Sequence, residues 1–171
     1  MTPGTVDVVS TREFAAPATK VWRAWGDPDC VTRWWGPAGF TSPSAQIDFR
    51  VGGTSLVCMR APEELGGWDM YTTWTYTRIE PVTLIEFDNR FTDAAGASVP
   101  PPPGVPSVVR HLITFASVAV DRTSMTVIEF GYPHEQVRDQ SKAGLEQCLD
   151  KMATLLEESG STPLTSPVQQ G

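Results

Sequence analysis

The sequence predicts an α+β fold in which a curved antiparallel sheet wraps around one long C-terminal α-helix, with two short helices after the first strand. Between Thr41 and Tyr132, six strand-like segments follow one another with no helical pattern between them. A single amphipathic segment, 135–158, closes this arrangement. Consecutive strands without crossover helices pair as antiparallel neighbours, and the long helix must bury its apolar stripe against them.

The elements before this sheet are short. Segment 5–14 is rich in β-branched residues and predicts a strand. Apolar residues at helical spacing after Pro17 predict a first helix, and Asp27-Pro28 supplies the start signal of a second helix that ends near Gly36. Segments rich in Val, Ile, Thr and aromatic residues then alternate with turn signals. They predict strands at 42–49, 53–60, 68–79, 83–91, 108–120 and 124–132.

Residues 92–107 interrupt the strands. Four consecutive prolines at 100–103 cannot enter the interior of a sheet, because proline lacks the N–H that a strand donates. We interpret this segment as a solvent-exposed loop. A partner-docking segment or a lid over a pocket mouth remains the alternative.

The C-terminal helix carries one apolar stripe and a glycine in its interior. A helical Gly144 is unfavourable by up to about 1 kcal/mol, so it predicts either close packing or space kept for a ligand. Residues 1–158 are interpreted as one domain, and the Pro-, Gly- and Ser-rich segment 159–171 as a disordered tail. The stripe consists of Val137, Leu145, Cys148, Leu149, Met152, Leu155 and Leu156.

Composition narrows the function classes. A net charge of −7 disfavours binding to nucleic acid and to anionic membranes. No apolar run reaches the ~18–20 residues that span a bilayer, and the N-terminus lacks a secretory signal. The three cysteines form no C-x-x-C pair, which indicates free thiols in the cytoplasm and no zinc site. Hydrolase-elbow, P-loop, Rossmann and zincin motifs are absent from the sequence.

Two titratable residues are candidates for chemistry. His111 and Glu129 each lie on an apolar strand face, where histidine can act as a general base and burial would raise the pKa of a carboxylate. Satisfied core residues are the alternative interpretation. A tight turn at 121–123 would place Phe115 opposite Glu129, with His111 roughly 13 Å away, so no direct dyad is expected. Trp74 and Tyr76 share another strand face and could stack on a ring, although core packing is the stronger interpretation.

The opening of the chain resembles a known family. Phe14-Ala15-Ala16-Pro17, the run Trp34-Trp35-Gly36-Pro37-x-Gly39-Phe40 and Val51-Gly52-Gly53 are similar to the Hsp90-ATPase-activator-homologue proteins of the START-like, or SRPBCC, helix-grip superfamily. The resemblance runs from about residue 6 to 158. It implies the helix-grip fold, a deep cavity between sheet and long helix, no cofactor and no metal.

The resemblance also has consequences for the pocket and for the function. Many relatives carry Gly-Trp where this chain has Gly144-Leu145, which implies an enlarged or reshaped pocket. Binding of a small hydrophobic ligand, aromatic, polyketide-like or lipid-like, is our first hypothesis. A cyclase-, dehydratase- or hydrolase-type enzyme and an Hsp90-type co-chaperone are the alternatives. Small helix-grip proteins often form homodimers, but the sequence specifies no interface. The predicted ligand contacts are Trp35, Phe40, Trp74, Tyr76, His111, Phe115, Glu129 and Leu145.

Overall fold

The computed structural model describes residues 4–161, with side chains through Glu158. It confirms the α+β helix-grip architecture: a seven-stranded, curved, fully antiparallel sheet and one long C-terminal helix. The strands, with β2 as the far edge in the order β1-β7-β6-β5-β4-β3-β2, are β1 Val6–Phe14, β2 Ala45–Gln46, β3 Thr54–Arg60, β4 Asp69–Glu80, β5 Leu84–Thr92, β6 Val108–Ala119 and β7 Arg122–Tyr132. The helices are α1 Ala18–Gly26, α2 Pro28–Trp34 and α3 Glu135–Ser161, with a short 3-10 turn at Glu63–Leu65.

A capping bond starts α2, and a tryptophan joins the two short helices. The Asp27 carboxylate accepts from the Asp29 N–H and caps α2, and Pro28 occupies the first helical turn. Trp34 is fully buried and its Nε1 donates to the Ala24 carbonyl oxygen at 2.8 Å. This bond ties α2 to α1, and α2 in turn packs against α3. The buried core therefore joins the sheet and all three helices.

The predicted strand at 42–49 is shorter than expected. Only Ala45 and Gln46 pair with β3 in the regular ladder, because Pro43 has no N–H to donate. Further on, the Asp48 N–H donates to the Ser55 hydroxyl instead of to a strand carbonyl. Side-chain bonding therefore replaces the ladder at this edge of the sheet.

The β6–β7 turn is also placed differently from the expectation. The hairpin turns at Val120–Asp121, with a register irregularity between Ser117 and Ala119. Phe115 consequently faces Met125, and His111 faces Glu129. The predicted 13 Å separation was wrong, because the turn lies earlier in the chain than expected and the irregularity shifts the register by one further residue, so that Glu129 faces His111 instead of Phe115.

The segment between β5 and β6 forms an ordered loop. Its first part turns tightly, with the Asp93 carboxylate accepting from the N–H groups of Ala95 and Ala97. Its prolines lie outside the sheet, as expected for residues that cannot donate to a ladder. Within residues 4–161, no helix combines the length and the apolarity needed to cross a bilayer. The predicted tail at 159–171 lies almost wholly outside the described residues.

Candidate functional site

A cavity of about 210 Å³ lies between the sheet and α3, and we call it the inner cavity. Gly36, Pro37 and Gly144 complete its wall. A Cβ added to Gly144 would meet no atom within 4 Å, so the helical glycine borders open space. The apolar lining consists of Trp35, Met59, Met70, Phe91, Val109, Leu145 and Cys148. The polar lining consists of Thr72, Asn89, His111, Glu129, Tyr132 and Ser141.

Four of these polar residues form a diagonal across the sheet, here called the polar diagonal: Thr72 on β4, Asn89 on β5, His111 on β6 and Glu129 on β7. The strand register produces it. Thr72 lies two residues before Trp74, which pairs with Asn89, so Thr72 and Asn89 are diagonal neighbours. Asn89 lies two residues after Phe87, which pairs with His111, so Asn89 and His111 are diagonal neighbours as well. His111 pairs directly with Glu129. Diagonal neighbours on one sheet face lie about 7–8 Å apart. A single small ligand can therefore contact several of them.

One end of the polar diagonal is internally bonded. Glu129 and His111 are each 7% exposed, and the His111 Nε2 lies 3.4 Å from Glu129 Oε2. The Tyr132 hydroxyl donates to Glu129 Oε1 at 2.7 Å. Burial, and next the charge of Glu129, raise the pKa of Tyr132 far above its ordinary value, so this phenol stays a donor.

The contacts of His111 define where its proton lies. Its Nδ1 is 3.1 Å from the Val109 carbonyl oxygen, and a carbonyl only accepts, so Nδ1 carries the hydrogen. The Nε2 then faces the Glu129 carboxyl group, and one proton placed between them forms either a neutral or an ionic pair. This arrangement can give a proton to a bound molecule or take one from it.

The other end of the polar diagonal has no partners. Within the described chain, Thr72 Oγ1 and Asn89 Oδ1 are buried without a hydrogen bond, and so is the Nε1 of the adjacent Trp74. An unpaired buried polar group costs about 1–3 kcal/mol, and buried polar groups in native proteins are nearly always satisfied. Thr72 and Asn89 line the inner cavity, so a molecule bound there can supply the partners that their two atoms lack. Across residues 4–161, no cluster of His, Cys, Asp and Glu has the arrangement of a metal site.

The Trp-Trp-Gly-Pro-x-Gly-Phe run forms the rim of the inner cavity next to α3. Trp34 is buried in the core, while Trp35, the C-cap residue that follows α2, lines the cavity. Gly36 follows with a φ of 105°, which only glycine adopts freely. Two α3 side chains hold the loop: Lys151 Nζ donates to the Phe40 carbonyl oxygen, and Gln147 Oε1 accepts from the Ala38 N–H.

The structure brings together four of the eight predicted ligand contacts and places the other four elsewhere. Trp35, His111, Glu129 and Leu145 line the inner cavity.

The remaining four predicted residues pack against protein. Trp74 stacks on Phe87 at 4.9 Å, beside the cavity. Tyr76 bonds the Ser55 hydroxyl at 2.8 Å, and burial raises its pKa to about 12.

Phe115 and Phe40 each meet an aromatic ring edge-on. Phe115 contacts Trp22 at 5.4 Å, and Phe40 contacts Trp68 at 5.7 Å.

Several lining residues were missed by sequence reasoning, although signals for them exist. Asn89 lies between Phe87 and Phe91 at an inward-facing position of β5, where a polar residue is unusual. Ser141 and Cys148 flank Leu145 at helical spacing, so all three share one face of α3. Tyr132 could not be placed, because simple alternation from Glu129 assigns it to the opposite face, whereas β7 has a register irregularity between Glu129 and Tyr132, where Gly131 has a φ of 94°.

Cys148 offers a pH test of burial at this site. Burial, partly offset by a hydrogen bond to the Gly36 backbone, raises the pKa of its thiol to about 11. We therefore expect alkylation of Cys148 by iodoacetamide to rise about tenfold per pH unit from pH 8 to 10, because the thiolate is the reactive form. Peptide mass spectrometry measures the rate. In urea-unfolded protein the rate should level off above pH 9; the same plateau in folded protein would contradict the burial of this thiol.

Comparison with known proteins identifies the family. The chain matches the model of the Activator of Hsp90 ATPase homolog 1-like protein family over residues 15–157. No curated protein matches the chain significantly. A solution structure from Arthrobacter aurescens shares 26% identity, with a TM-score of 0.75, over 90% of this chain and 87% of that one. A crystal structure from Chromobacterium violaceum shares 26% identity, with a TM-score of 0.73, over 88% and 96%.

A more distant structure agrees in fold alone. The AHSA1 protein from Silicibacter pomeroyi is 17% identical, with a TM-score of 0.74, over 90% of this chain and 99% of that one. The family match covers both the Trp-Trp-Gly-Pro-x-Gly-Phe rim and most of α3, the two parts that enclose the cavity. The chain belongs to the family of Activator of Hsp90 ATPase homolog 1-like proteins, on the helix-grip fold of the SRPBCC superfamily.

Proposed function

We propose that the protein binds a small, mainly apolar molecule that carries a hydrogen-bonding group, in the inner cavity between the sheet and α3. The unpartnered atoms Thr72 Oγ1 and Asn89 Oδ1, on two residues that line the inner cavity, are the observation that carries this proposal. A ligand that bonded them would remove an unfavourable burial, whereas a purely apolar ligand would leave it in place.

The size of the cavity favours a ligand built on a single ring. An apolar cavity of about 150 Å³ suffices for benzene, and the inner cavity measures about 210 Å³. Trp35 offers an aromatic face or edge to such a ring, and Met59 and Leu145 provide adaptable apolar contacts. We therefore expect a flat ring with one polar substituent.

The polar substituent is expected to be a donor. Asn89 Oδ1 is an acceptor without a donor, and the Thr72 hydroxyl can either accept or donate. A phenol O–H or an amide N–H satisfies Asn89, while an ether oxygen cannot. The ligand's donor is therefore the feature that the polar diagonal distinguishes.

A matched pair of probes tests the proposal. We expect 4-ethylphenol to bind saturably and about twofold to tenfold more tightly than 4-ethylanisole, because one buried hydrogen bond contributes about 0.5–1.5 kcal/mol. Trp35 lines the cavity, so ligand binding should change tryptophan fluorescence, and calorimetry gives the affinity. Absence of binding by both probes and by a wider panel of substituted phenols and benzamides would contradict the proposal.

Two variants locate the discriminating contact. Asn89→Leu and Thr72→Val should each reduce the preference for the phenol, since they remove the unpartnered atoms. Thr75→Val makes the same change on the outer face of the same strand, where the hydroxyl already bonds Thr54. It should leave the preference intact.

Proton transfer on the bound molecule is the second candidate function. It is favoured by the 3.4 Å contact between His111 Nε2 and Glu129 Oε2 in the wall of the inner cavity. Native mass spectrometry of gently purified protein, followed by extraction, identifies a bound compound and shows whether it changes on incubation. Turnover that survives in His111→Gln/Glu129→Gln would exclude this chemistry. Stimulation of a chaperone ATPase would instead support the co-chaperone alternative.

A further inference from the structure

A second cavity, here called the outer cavity, lies between the proline-rich loop and the adjoining ends of β4 and β5. Its volume is about 360 Å³. Four consecutive residues of the loop contribute to its apolar walls, so the loop forms one side of it. Those walls consist of Trp68, Met70, Phe91, Val99, Pro100, Pro101 and Pro102.

The two cavities share a partition. Met70 and Phe91 line both the inner and the outer cavity, and both are only half-buried. Methionine has three rotatable bonds and a polarizable sulfur, so it can move aside at little cost. A chain of methylene groups that passed this partition would leave the inner cavity directly into the outer one.

The proline-rich loop is anchored where it covers the outer cavity. The Val99 N–H donates to the Phe91 carbonyl oxygen at 3.0 Å, which joins the loop to the partition itself. At its other end, Gly104 has a φ of 80°, and an added Cβ would lie 2.7 Å from Val137 on α3. The loop therefore packs closely against α3 at Gly104. The prolines between Val99 and Gly104 restrict the backbone of the loop.

The two cavities differ in whether their buried polar groups already have partners. In the outer cavity Asp69 is paired with Arg60 at 2.7 Å and the Thr92 hydroxyl donates to the Asp93 carbonyl oxygen, and none of the described side chains that line it has a buried polar atom without a partner.

In the inner cavity, Thr72 and Asn89 each have an unpartnered buried atom. A polar head is thus most favourable in the inner cavity, where it supplies the partners that these two atoms lack.

We propose that the two cavities bind one elongated ligand, with a hydrogen-bonding ring in the inner cavity and an alkyl tail that passes between Met70 and Phe91 into the outer cavity beneath the proline-rich loop. This inference rests on the proposed function, because the head must first bind at Asn89. In this arrangement the proline-rich loop contacts the tail, and Phe91 determines which tail lengths can bind.

A series of 4-alkylphenols tests the inference by calorimetry. From 4-ethylphenol to 4-butylphenol and 4-hexylphenol, affinity should rise about threefold to fourfold per methylene, as each added CH₂ leaves water. Replacing Val99–Pro102 with Gly-Ser-Gly-Ser removes the loop side of the outer cavity. It should flatten the rise beyond 4-ethylphenol while leaving 4-ethylphenol affinity within about twofold.

Two further variants test the inference without replacing the segment of the loop that lines the outer cavity. Phe91→Trp enlarges the partition and should also flatten the rise. Ala94→Ser/Ala95→Ser changes the exposed tip of the same loop, away from the outer cavity, and should retain the wild-type rise. Thermal unfolding confirms that each variant is folded.

The outcomes separate this inference from the proposed function. If no phenol binds, the proposed function fails and this inference fails with it. If 4-ethylphenol binds but longer tails add nothing, the elongated ligand alone is overturned. A rise that is unchanged by both the loop replacement and Phe91→Trp also overturns it, because the tail then lies elsewhere.

Discussion

Replacing Trp34 with alanine is expected to lower the free energy of unfolding by about 3–5 kcal/mol, the range for deleting a large aromatic side chain from a core. Trp34 is fully buried and meets Trp25 edge-on, with ring centroids 4.7 Å apart. Its Nε1 donates to the Ala24 carbonyl oxygen, so the variant also loses the bond that holds α2 on α1. Trp35 and the cavity rim follow directly after α2, so ligand affinity should fall as well.

Urea denaturation followed by circular dichroism measures this loss. Trp68→Ala is the matched control, because Trp68 is 43% exposed at the outer cavity. It should destabilise by less than about 1 kcal/mol, the usual range for surface substitutions outside special features. Equal losses in the two variants would show that Trp34 does not organise the core in the way described.

Glu129→Leu is expected to destabilise the protein by about 1–3 kcal/mol, although leucine is the more apolar residue at a position only 7% exposed. The carboxylate accepts from the Tyr132 hydroxyl at 2.7 Å and lies 3.4 Å from His111 Nε2. Its removal leaves two buried polar groups without this partner. Breaking one member of a buried network is unfavourable for the groups that remain.

A double-mutant cycle isolates the bond. Tyr132→Phe should be destabilising in the wild-type protein and close to neutral in Glu129→Leu, since the phenol has already lost its acceptor. Glu13→Gln provides a control at an exposed ion pair with Arg122 on the neighbouring strand and should change stability by less than about 0.5 kcal/mol. Strictly additive effects of Glu129→Leu and Tyr132→Phe would contradict the coupling.

The architecture could be predicted because its signals are local and periodic. The strands β1 and β3–β7 have bounds within about two residues of those predicted, since alternation and turn residues mark both of their ends. The start of α2 was predicted by Asp27-Pro28, whose capping bond the structure shows. The 42–49 segment was overpredicted, because Pro43 and the Ser55 hydroxyl disrupt its ladder, and the second of these is a tertiary contact.

The site was harder to predict because it depends on register. His111 and Glu129 were identified individually, but their contact depends on a turn position and on the irregularity between Ser117 and Ala119. Asn89 stands out along the chain only as a polar residue at an inward-facing position, and Thr72 does not stand out at all. They become a pair with unpartnered atoms only when β4 and β5 align.

The sequence by itself determined the fold class, the order of the strands along the chain, the long helix and the family resemblance, since these depend on periodicity and on short motifs. Only the tertiary structure decided which inward-facing residues border empty space. Tyr76 and Phe115 face inward and pack against protein, while Asn89 and His111 face inward and border the inner cavity. The physical reason is that alternation assigns a side chain to a face of the sheet, whereas a cavity arises where α3 and the opposing loops leave that face uncovered.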